Sequence, residues 1–167
     1  PTLKQLIQRT DLVIPDGAGI VLYFRLKGKT IARAPGIELA ETVLERLGPE
    51  QSAFFYGGAP GVAEAAAQHW QQRNPKIQIA GVQHGYVTPE EQPAFQERLK
   101  VLQPAVILLA LGVPRQEFWT VDHRHLCPSA VWIGVGGSFD IWAGLKERAP
   151  AWFCNNNLEW LYRLYKE

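Results

Sequence analysis

The segment SAFFYGGAPGVAEAAAQHWQQR (residues 52–73) carries the pattern that decides the fold. It begins with a short aromatic and apolar run, which is typical of a buried strand, and Gly57 and Gly58 then break that run. The alanine-rich stretch from Pro60 to Arg73 favours a helix. Strand, glycine turn and helix in this order form one β-α unit, and such units assemble into parallel sheets.

The same alternation of short apolar runs and longer amphipathic runs continues along the chain. It predicts strands at 11–14, 52–57, 77–82, 105–112 and 130–136. It predicts helices at 2–9, 18–26, 37–47, 60–73, 89–102, 115–126 and 157–166. Thr88 and Glu91 form a capping box with Pro89 in the first turn, which marks one helix start, although Pro93 weakens that turn. The sequence thus predicts an α/β fold, with a Rossmann-like, doubly wound, mainly parallel sheet flanked by helices, as a single domain over residues 1–167.

Composition and charge exclude several classes of protein. The 167 residues are 47% hydrophobic and 20% charged, which suits one sizeable core and excludes a disordered or fibrous chain. The net charge of +1 provides no overall field for nucleic acid, so no nucleic-acid partner is expected. Cys127 and Cys154 form no CxxC pair and are predicted to be reduced, buried thiols of a cytosolic protein. No apolar run reaches the roughly 18 residues of a membrane span, so we expect a soluble or at most peripheral chain.

Glycine follows the predicted strands. The positions are Gly17, Gly57, Gly58, Gly85, Gly112, Gly136 and Gly137. Since all strand carboxyl ends share one edge of a doubly wound sheet, these turns should meet where such folds bind ligands. Glycine there lets backbone N–H groups approach an anion, which favours a phosphate-bearing ligand. The alternative is that these glycines only make tight turns between strand and helix.

Short sequence motifs narrow the choice of ligand chemistry. No GxxxxGK[ST] or GxSxG segment occurs, and GAGIVL (17–22) has Leu22 where a dinucleotide fingerprint needs its third glycine. HExxH and Asp-x-Asp are missing, and His123 and His125 suit a solvated helix end better than a metal site. No metal and no cofactor are therefore predicted.

Polar side chains are predicted to gather at the same edge of the sheet. They are Asp16, Arg33, His84, Tyr86, Arg115, Gln116, Glu117, Ser138 and Asp140. In transfer from an activated phospho-compound, arginine and glycine amides stabilise the departing diphosphate and a carboxylate accepts the proton of the attacking hydroxyl. Simpler roles remain open, because Asp16 could cap the helix after Gly17, Arg33 and Arg115 could be solvated, and Glu117 could pair with Arg115.

Seven segments in order resemble those of one family of bacterial enzymes. They are DLVIPDGAGIVL, RAPGIEL, FYGGAPGVAEAAA, GVQHGYVTPEE, ALGVPRQEFW, GVGGSFDIWAGLKERAP and LEWLYRL, and they are distributed over nearly the whole chain. In this order and spacing the chain resembles the WecG/TagA/CpsF family of glycosyltransferases. The resemblance implies metal-free, inverting transfer of an N-acetylhexosamine-type sugar, such as N-acetylmannosamine, from a UDP donor to a lipid-diphosphate-linked sugar. It places that reaction in teichoic acid, common antigen or capsule synthesis, at the inner face of the plasma membrane.

The resemblance also implies roles for individual residues. Asp16 is the candidate general base, Gln116 contacts the donor or acceptor sugar, and Arg33 lies near the sugar or the diphosphate. The loop at 134–140 holds the nucleotide. With the residues of the sheet edge, the predicted substrate-binding set is Gly17, Gly57, Gly58, His84, Gly85, Tyr86, Gly112, Arg115, Gly136, Gly137, Ser138, Phe139 and Asp140.

The chain departs from the family's pattern at both ends. It lacks an N-terminal segment that supplies a threonine and an asparagine to the pocket, and a basic C-terminal tail that meets the membrane. We therefore expect weaker activity and weaker membrane binding than in a longer chain. Asn157 replaces the glycine that commonly precedes LEW, and is expected to keep the bend because asparagine tolerates a left-handed backbone.

The terminal segment predicts a helix with one apolar stripe. Leu158, Leu161, Tyr162 and Tyr165 follow helical spacing, which favours a helix packed on the domain rather than on a membrane surface. A homo-oligomer is left open. The alternative function is a nucleotide-sugar-binding domain without useful catalysis.

Overall fold

Four strands form one all-parallel sheet in the computed structural model, which describes residues 2–155 and 158–166. They are β1 (Ser52–Gly57), β2 (Gln78–Gln83), β3 (Val106–Ala110) and β4 (Val131–Gly134). Their order across the sheet is β2-β1-β3-β4, and each neighbouring pair is parallel. The predicted α/β fold with a parallel sheet is confirmed, and four of the five predicted strands lie within two residues of their expected bounds.

Helices connect the strands and cover both faces of the sheet. They are α1 (Leu3–Ile7), α2 (Ala18–Leu26), α3 (Gly36–Arg46), α4 (Val62–Arg73), α5 (Gln92–Leu102), α6 (Arg115–His123), α7 (Ser138–Trp142), α8 (Ala151–Asn155) and α9 (Glu159–Lys166), with a 3-10 turn at Arg124–Leu126. The predicted helices are confirmed, whereas α7 and α8, five residues each, were not predicted. The last helix was expected from 157, but Asn157 lies outside the described residues, so its bend stays a prediction. Among the described residues, no helix has both the length and the apolar character to cross a bilayer.

One half of the core lies between the sheet and helices α4 and α7. Phe55 of β1 and Leu108 of β3 are fully buried on this face. The ring of Phe55 lies 5.4 Å from that of Phe139, and Trp70 and Trp142 pack edge to face at 5.4 Å. Because β1 and β3 are the central strands, covered on both faces, they are apolar at almost every position.

The other half of the core lies between the opposite face of the sheet and helices α5 and α6. Side chains alternate along a strand, so Phe54 and Tyr56 point to this face, opposite Phe55. Tyr56 packs 4.7 Å from both Phe95 and Trp119. Because β3 and β4 are parallel neighbours, the loops that follow them lie at one common edge of the sheet.

The predicted strand at 11–14 is wrong, because this segment has no strand conformation and pairs with none of the four strands. Leu12 and Val13 are 70% and 60% exposed. The segment instead leads into a main-chain contact in which Ala34 N donates to Pro15 O at 3.1 Å. An apolar run indicates that residues suit a strand, but it contains no information about a partner strand.

The start of α5 lies three residues later than predicted. Glu91 accepts a hydrogen bond from Thr88 N at 2.9 Å, which is one half of the predicted capping box. Residues 89–91 nevertheless form a turn, and the helix begins at Gln92 with Pro93 in its first turn. Pro93 therefore suits the first turn of α5 as the structure has it.

The apolar stripe of α9 packs on the domain only in part. Tyr162 lies 5.3 Å from the ring of Phe153, and Leu158 is half-buried. Leu161 and Tyr165 are exposed, so the prediction of a packed stripe is wrong for these two residues.

Both cysteines are free thiols, as predicted. Cys127 is buried, and its Sγ donates to Leu99 O at 3.3 Å. Burial raises the pKa of the Cys127 thiol, since the charged thiolate would lose its hydration. Cys154 is partly exposed, so the expectation of two buried thiols holds only for Cys127.

Candidate functional site

A cavity of about 800 Å³ lies beside the carboxyl ends of β3 and β4. Its lining comes from five parts of the chain: Asp16, the approach to α3, the start of α6, the region from β4 to the loop after α7, and α9. The carboxyl edge of a parallel sheet is where α/β folds bind their ligands. This cavity is therefore the candidate site.

Asp16 lines the cavity with a carboxylate that is 54% exposed. Its Oδ2 accepts a hydrogen bond from Gly36 N, the first residue of α3, at 3.1 Å. The helix that directly follows Asp16 is α2, whose N-cap is Gly17 and has no side-chain cap. The simple alternative of capping that helix is therefore wrong. A distant helix start fixes the carboxylate and leaves part of it open to the cavity.

Arg33 is held beside Asp16 by three contacts. Its Nε donates to Asp16 O at 2.6 Å, and its Nη2 lies 3.5 Å from Asp16 Oδ1 and 2.8 Å from Glu159 Oε2. The side chain is only 14% exposed. Burial lowers the pKa of the Arg33 guanidinium, but the hydrogen bonds and charges of Glu159 and Asp16 together outweigh burial and hold that pKa above its ordinary value. The cavity therefore contains a permanent, oriented cation next to the candidate base.

Gln116 is buried at the start of α6 and lines the same cavity. Its Oε1 accepts from Gly136 N at 3.1 Å, and its Nε2 donates to Glu117 Oε1 at 3.0 Å. An added Cβ at Gly134 would lie 2.5 Å from Gln116 Nε2, so glycine leaves the room in which this amide sits. The Gln116 amide is thus tied to the loop after β4.

The predicted nucleotide loop at 134–140 lines the cavity with its first half. Gly136, Gly137 and Ser138 are lining residues, and the Ser138 hydroxyl donates to Val135 O at 2.7 Å. Phe139 is 1% exposed and belongs to the core, so its predicted role in ligand binding has no support in its position. Asp140 does not line the cavity and lies 3.4 Å from Lys146 Nζ.

Close packing explains the glycines that follow β1 and β2. Gly57 has φ +134°, and an added Cβ would overlap the carbonyl group of Ala110. Gly58 N donates to Ala110 O at 3.0 Å, and Gly85 N donates to Gly58 O at 2.8 Å. These three positions and Gly112 lie outside the cavity lining. The tight-turn alternative therefore fits their surroundings, and their role in ligand binding stays a prediction.

The remaining predicted residues lie outside the lining of this cavity. Arg115 Nη2 lies 3.4 Å from Gly85 O, and Tyr86 N donates to His84 Nδ1 at 3.3 Å. Tyr86 is exposed, as is Gly17. The structure therefore unites Asp16, Arg33, Gln116 and the loop after β4 in one cavity, but not the residues that follow β2.

Several charged residues of the cavity were not predicted. Glu159 on α9 is buried, and two cations follow α7: Lys146, paired with Asp140, and Arg148, paired with Glu38. The two cations could have been found from the charged segment LKERAP that follows the glycine loop. Glu159 carries no such signal, because an acid on an amphipathic helix is ordinarily solvated.

Within residues 2–155 and 158–166, no three His, Cys, Asp or Glu side chains are grouped so that they could hold a metal ion. This observation concerns the arrangement of ligands alone. Independence from metal stays a prediction.

The architecture and the cavity define the class of the protein. An all-parallel sheet flanked by helices makes it a Rossmann-like α/β domain, and its charged cavity at the carboxyl edge is the candidate ligand site. Within this class, the chain belongs to the glycosyl transferase WecG/TagA/CpsF family, whose family model matches residues 1–167.

Curated relatives that share the same name are similar to the chain. It is 36% identical over 166 residues to the N-acetylglucosaminyldiphosphoundecaprenol N-acetyl-beta-D-mannosaminyltransferase of Bacillus spizizenii, which covers 98% of this chain and 64% of the relative. It is 38% identical over 161 residues to the protein of that name in Staphylococcus aureus, which covers 95% of this chain and 63% of the relative. The chain thus spans less than two thirds of the length of these relatives.

Proposed function

We propose that the chain transfers an N-acetylmannosamine-type sugar from a UDP donor to a polyprenyl-diphosphate-linked sugar, with inversion and without metal. The relatives' name states an N-acetylmannosaminyl transfer and an N-acetylglucosaminyl-diphosphoundecaprenol, which supports this pair of substrates. The family assignment supports the reaction class. Such a reaction belongs to the synthesis of teichoic acid or a related bacterial surface polysaccharide at the inner face of the plasma membrane.

The observation that carries the proposal is the Asp16 carboxylate in the cavity. It is half-exposed, it is fixed by Gly36 N, and it lies beside the part-buried cation of Arg33. A general base needs a rigid position and access to the proton that it accepts. The carboxylate meets both requirements.

The reaction that this arrangement supports is a single displacement. The Asp16 carboxylate accepts the proton of the acceptor hydroxyl as the hydroxyl oxygen forms a bond to the anomeric carbon. The bond from that carbon to the phosphate oxygen breaks, and UDP departs with the electron pair. Attack on the face opposite the leaving group inverts the configuration at the anomeric carbon.

The positive charge that a departing diphosphate needs is provided by side chains of the cavity. Arg33, Lys146 and Arg148 line it, each within ion-pair distance of a carboxylate. A diphosphate would compete with those carboxylates for the exposed Lys146 ammonium first, since Arg33 is almost completely enclosed. Arg33 is then the cation that orients the sugar and the base.

The test is the variant Asp16→Asn, assayed with UDP-N-acetylmannosamine and a short-chain polyprenyl-diphosphate N-acetylglucosamine. The asparagine oxygen can still accept from Gly36 N, so the thermal midpoint and UDP affinity should change little. Loss of the base should lower single-turnover transfer by about 10²- to 10⁴-fold.

The matched control is Asp122→Asn on the exposed surface of α6, which should leave transfer unchanged. If Asp16→Asn transfers sugar within threefold of the unaltered chain, Asp16 is not the base. If the unaltered chain binds UDP but transfers no sugar, the chain is a nucleotide-sugar-binding domain.

A further inference from the structure

Helix α2 presents apolar side chains to solvent instead of to the core. None of its nine residues is buried. Ile20, Leu22, Tyr23 and Leu26 are 49–78% exposed, whereas Val21 and Phe24 are the half-buried side. A surface helix of a globular protein normally has the opposite arrangement, so an apolar face of this kind marks a contact surface.

The segment around α2 carries positive charge alone. Arg25, Lys27 and Lys29 lie at the end of the helix and just after it, and no acid occurs from residue 17 to residue 37. Lys27 Nζ lies 5.9 Å from the ring centre of Tyr23. Cations beside exposed apolar side chains are the composition that binds the interface of an anionic bilayer.

The α2 segment, residues 17–32, begins and ends beside the candidate site. Asp16 precedes the segment and Arg33 follows it, and Arg33 Nε donates to Asp16 O at 2.6 Å. A second main-chain contact joins Ala34 N to Pro15 O at 3.1 Å. The α2 segment is therefore a closed loop-and-helix segment, and the residues that flank its two ends contact each other beside Asp16.

We propose that residues 17–32 dock on an anionic bilayer, with the apolar face of α2 in the headgroup boundary and the three cations on lipid phosphates. The role of this surface rests on the proposed function, since an α2 segment bound to the bilayer would hold Asp16 close to a lipid-linked acceptor. A second copy of the chain is the weaker alternative. Two copies related by a two-fold axis would bring like-charged segments together.

The test is co-sedimentation with vesicles of 30% phosphatidylglycerol in phosphatidylcholine, compared with phosphatidylcholine alone. We expect binding to the anionic vesicles that weakens with added salt. The double variant Leu22→Asp/Leu26→Asp should bind them at least about tenfold more weakly, and Lys27→Gln/Lys29→Gln about tenfold more weakly. Circular dichroism verifies that each variant keeps its fold.

The matched control is Val101→Asp, because Val101 is 75% exposed on α5, away from α2 in the sequence. It should bind vesicles like the unaltered chain. Equal vesicle binding by the α2 variants and the unaltered chain would overturn the proposal. So would a stable dimer that Leu22→Asp/Leu26→Asp converts to a monomer, with no vesicle binding in either form.

Transfer to a short-chain, water-soluble acceptor separates this proposal from the proposed function. The α2 variants should retain that activity and lose transfer to an acceptor embedded in vesicles. If the unaltered chain binds anionic vesicles but transfers sugar to neither acceptor, the proposed function fails while the docking surface stands.

Discussion

At the scale of single residues, the room around Gln116 depends on Gly134. An alanine Cβ there would lie 2.5 Å from Gln116 Nε2 and 2.9 Å from its Cδ, so the buried amide would have to move. Movement would break its bonds to Gly136 N and to Glu117. We expect Gly134→Ala to lower sugar transfer by about 10- to 100-fold, since misplacement of a contact group by about 1 Å costs that much.

Gly48→Ala is the control for that variant, because an added Cβ at Gly48 meets nothing within 4 Å. Transfer and UDP affinity are measured for both variants beside their thermal midpoints. If Gly134→Ala folds and transfers at the normal rate, the reaction does not need Gln116 in its present position.

The sequence predicted which residues belong to the candidate site, but not which residues they contact. Asp16, Arg33 and Gln116 were predicted for one site and share one cavity. The carboxylate that holds Arg33 comes from Glu159, more than a hundred positions away, and nothing in the local pattern links the two. The same reasoning missed that Asp16 caps α3 and not α2.

At the scale of elements, an enclosed ion pair connects α9 with the site. The side chains of Arg33 and Glu159 are 14% and 8% exposed and lie 2.8 Å apart. The Glu159→Gln variant loses the negative charge but keeps the shape of the side chain. The enclosed Arg33 guanidinium then has less negative charge beside it to balance its own. We expect a loss of about 1–3 kcal/mol in the free energy of unfolding, measured by urea titration.

Glu97→Gln is the matched control, since Glu97 pairs with Lys100 on a helix but is 67% exposed. Its loss should be under about 0.5 kcal/mol because surface pairs contribute little. Equal losses in the two variants would show that α9 is not held through Arg33. Weaker transfer in Glu159→Gln alone would in addition identify Glu159 as a residue that positions Arg33.

The strands that are covered on both faces were predicted well, whereas one run without a partner strand and two very short helices were not. The runs that form β1 and β3 are apolar at almost every position because both of their faces are covered. The run at 11–14 is also mostly apolar but has no partner strand, so it remains outside the sheet. Helices α7 and α8 are one or two turns long and show too few residues for a periodic pattern.

At the scale of the whole molecule, the small net charge conceals an uneven distribution. The overall charge is +1, yet the α2 segment has three cations and no acid, while the cavity contains both signs. Arg33, Lys146 and Arg148 line the cavity together with Asp16, Glu147 and Glu159. A metal ion is one way to neutralise a diphosphate, and this set of side chains offers another.

We therefore expect UDP binding to be independent of divalent metal. Calorimetric titration of UDP in EDTA and then in excess magnesium or manganese should give the same affinity, because arginine and lysine side chains and backbone amides supply the positive potential. Lys146→Gln should weaken UDP binding by about three- to tenfold, since Lys146 is the exposed cation of the cavity.

Lys100→Gln provides the comparison, because Lys100 is also exposed and paired with a carboxylate but lies on α5, outside the cavity lining. It should bind UDP normally. A loss of affinity in EDTA beyond about tenfold, which is about 1.4 kcal/mol, would contradict metal independence. Equal UDP affinity in Lys146→Gln and Lys100→Gln would instead show that the diphosphate does not reach Lys146, and would place it deeper, against Arg33 and the amides that follow β4.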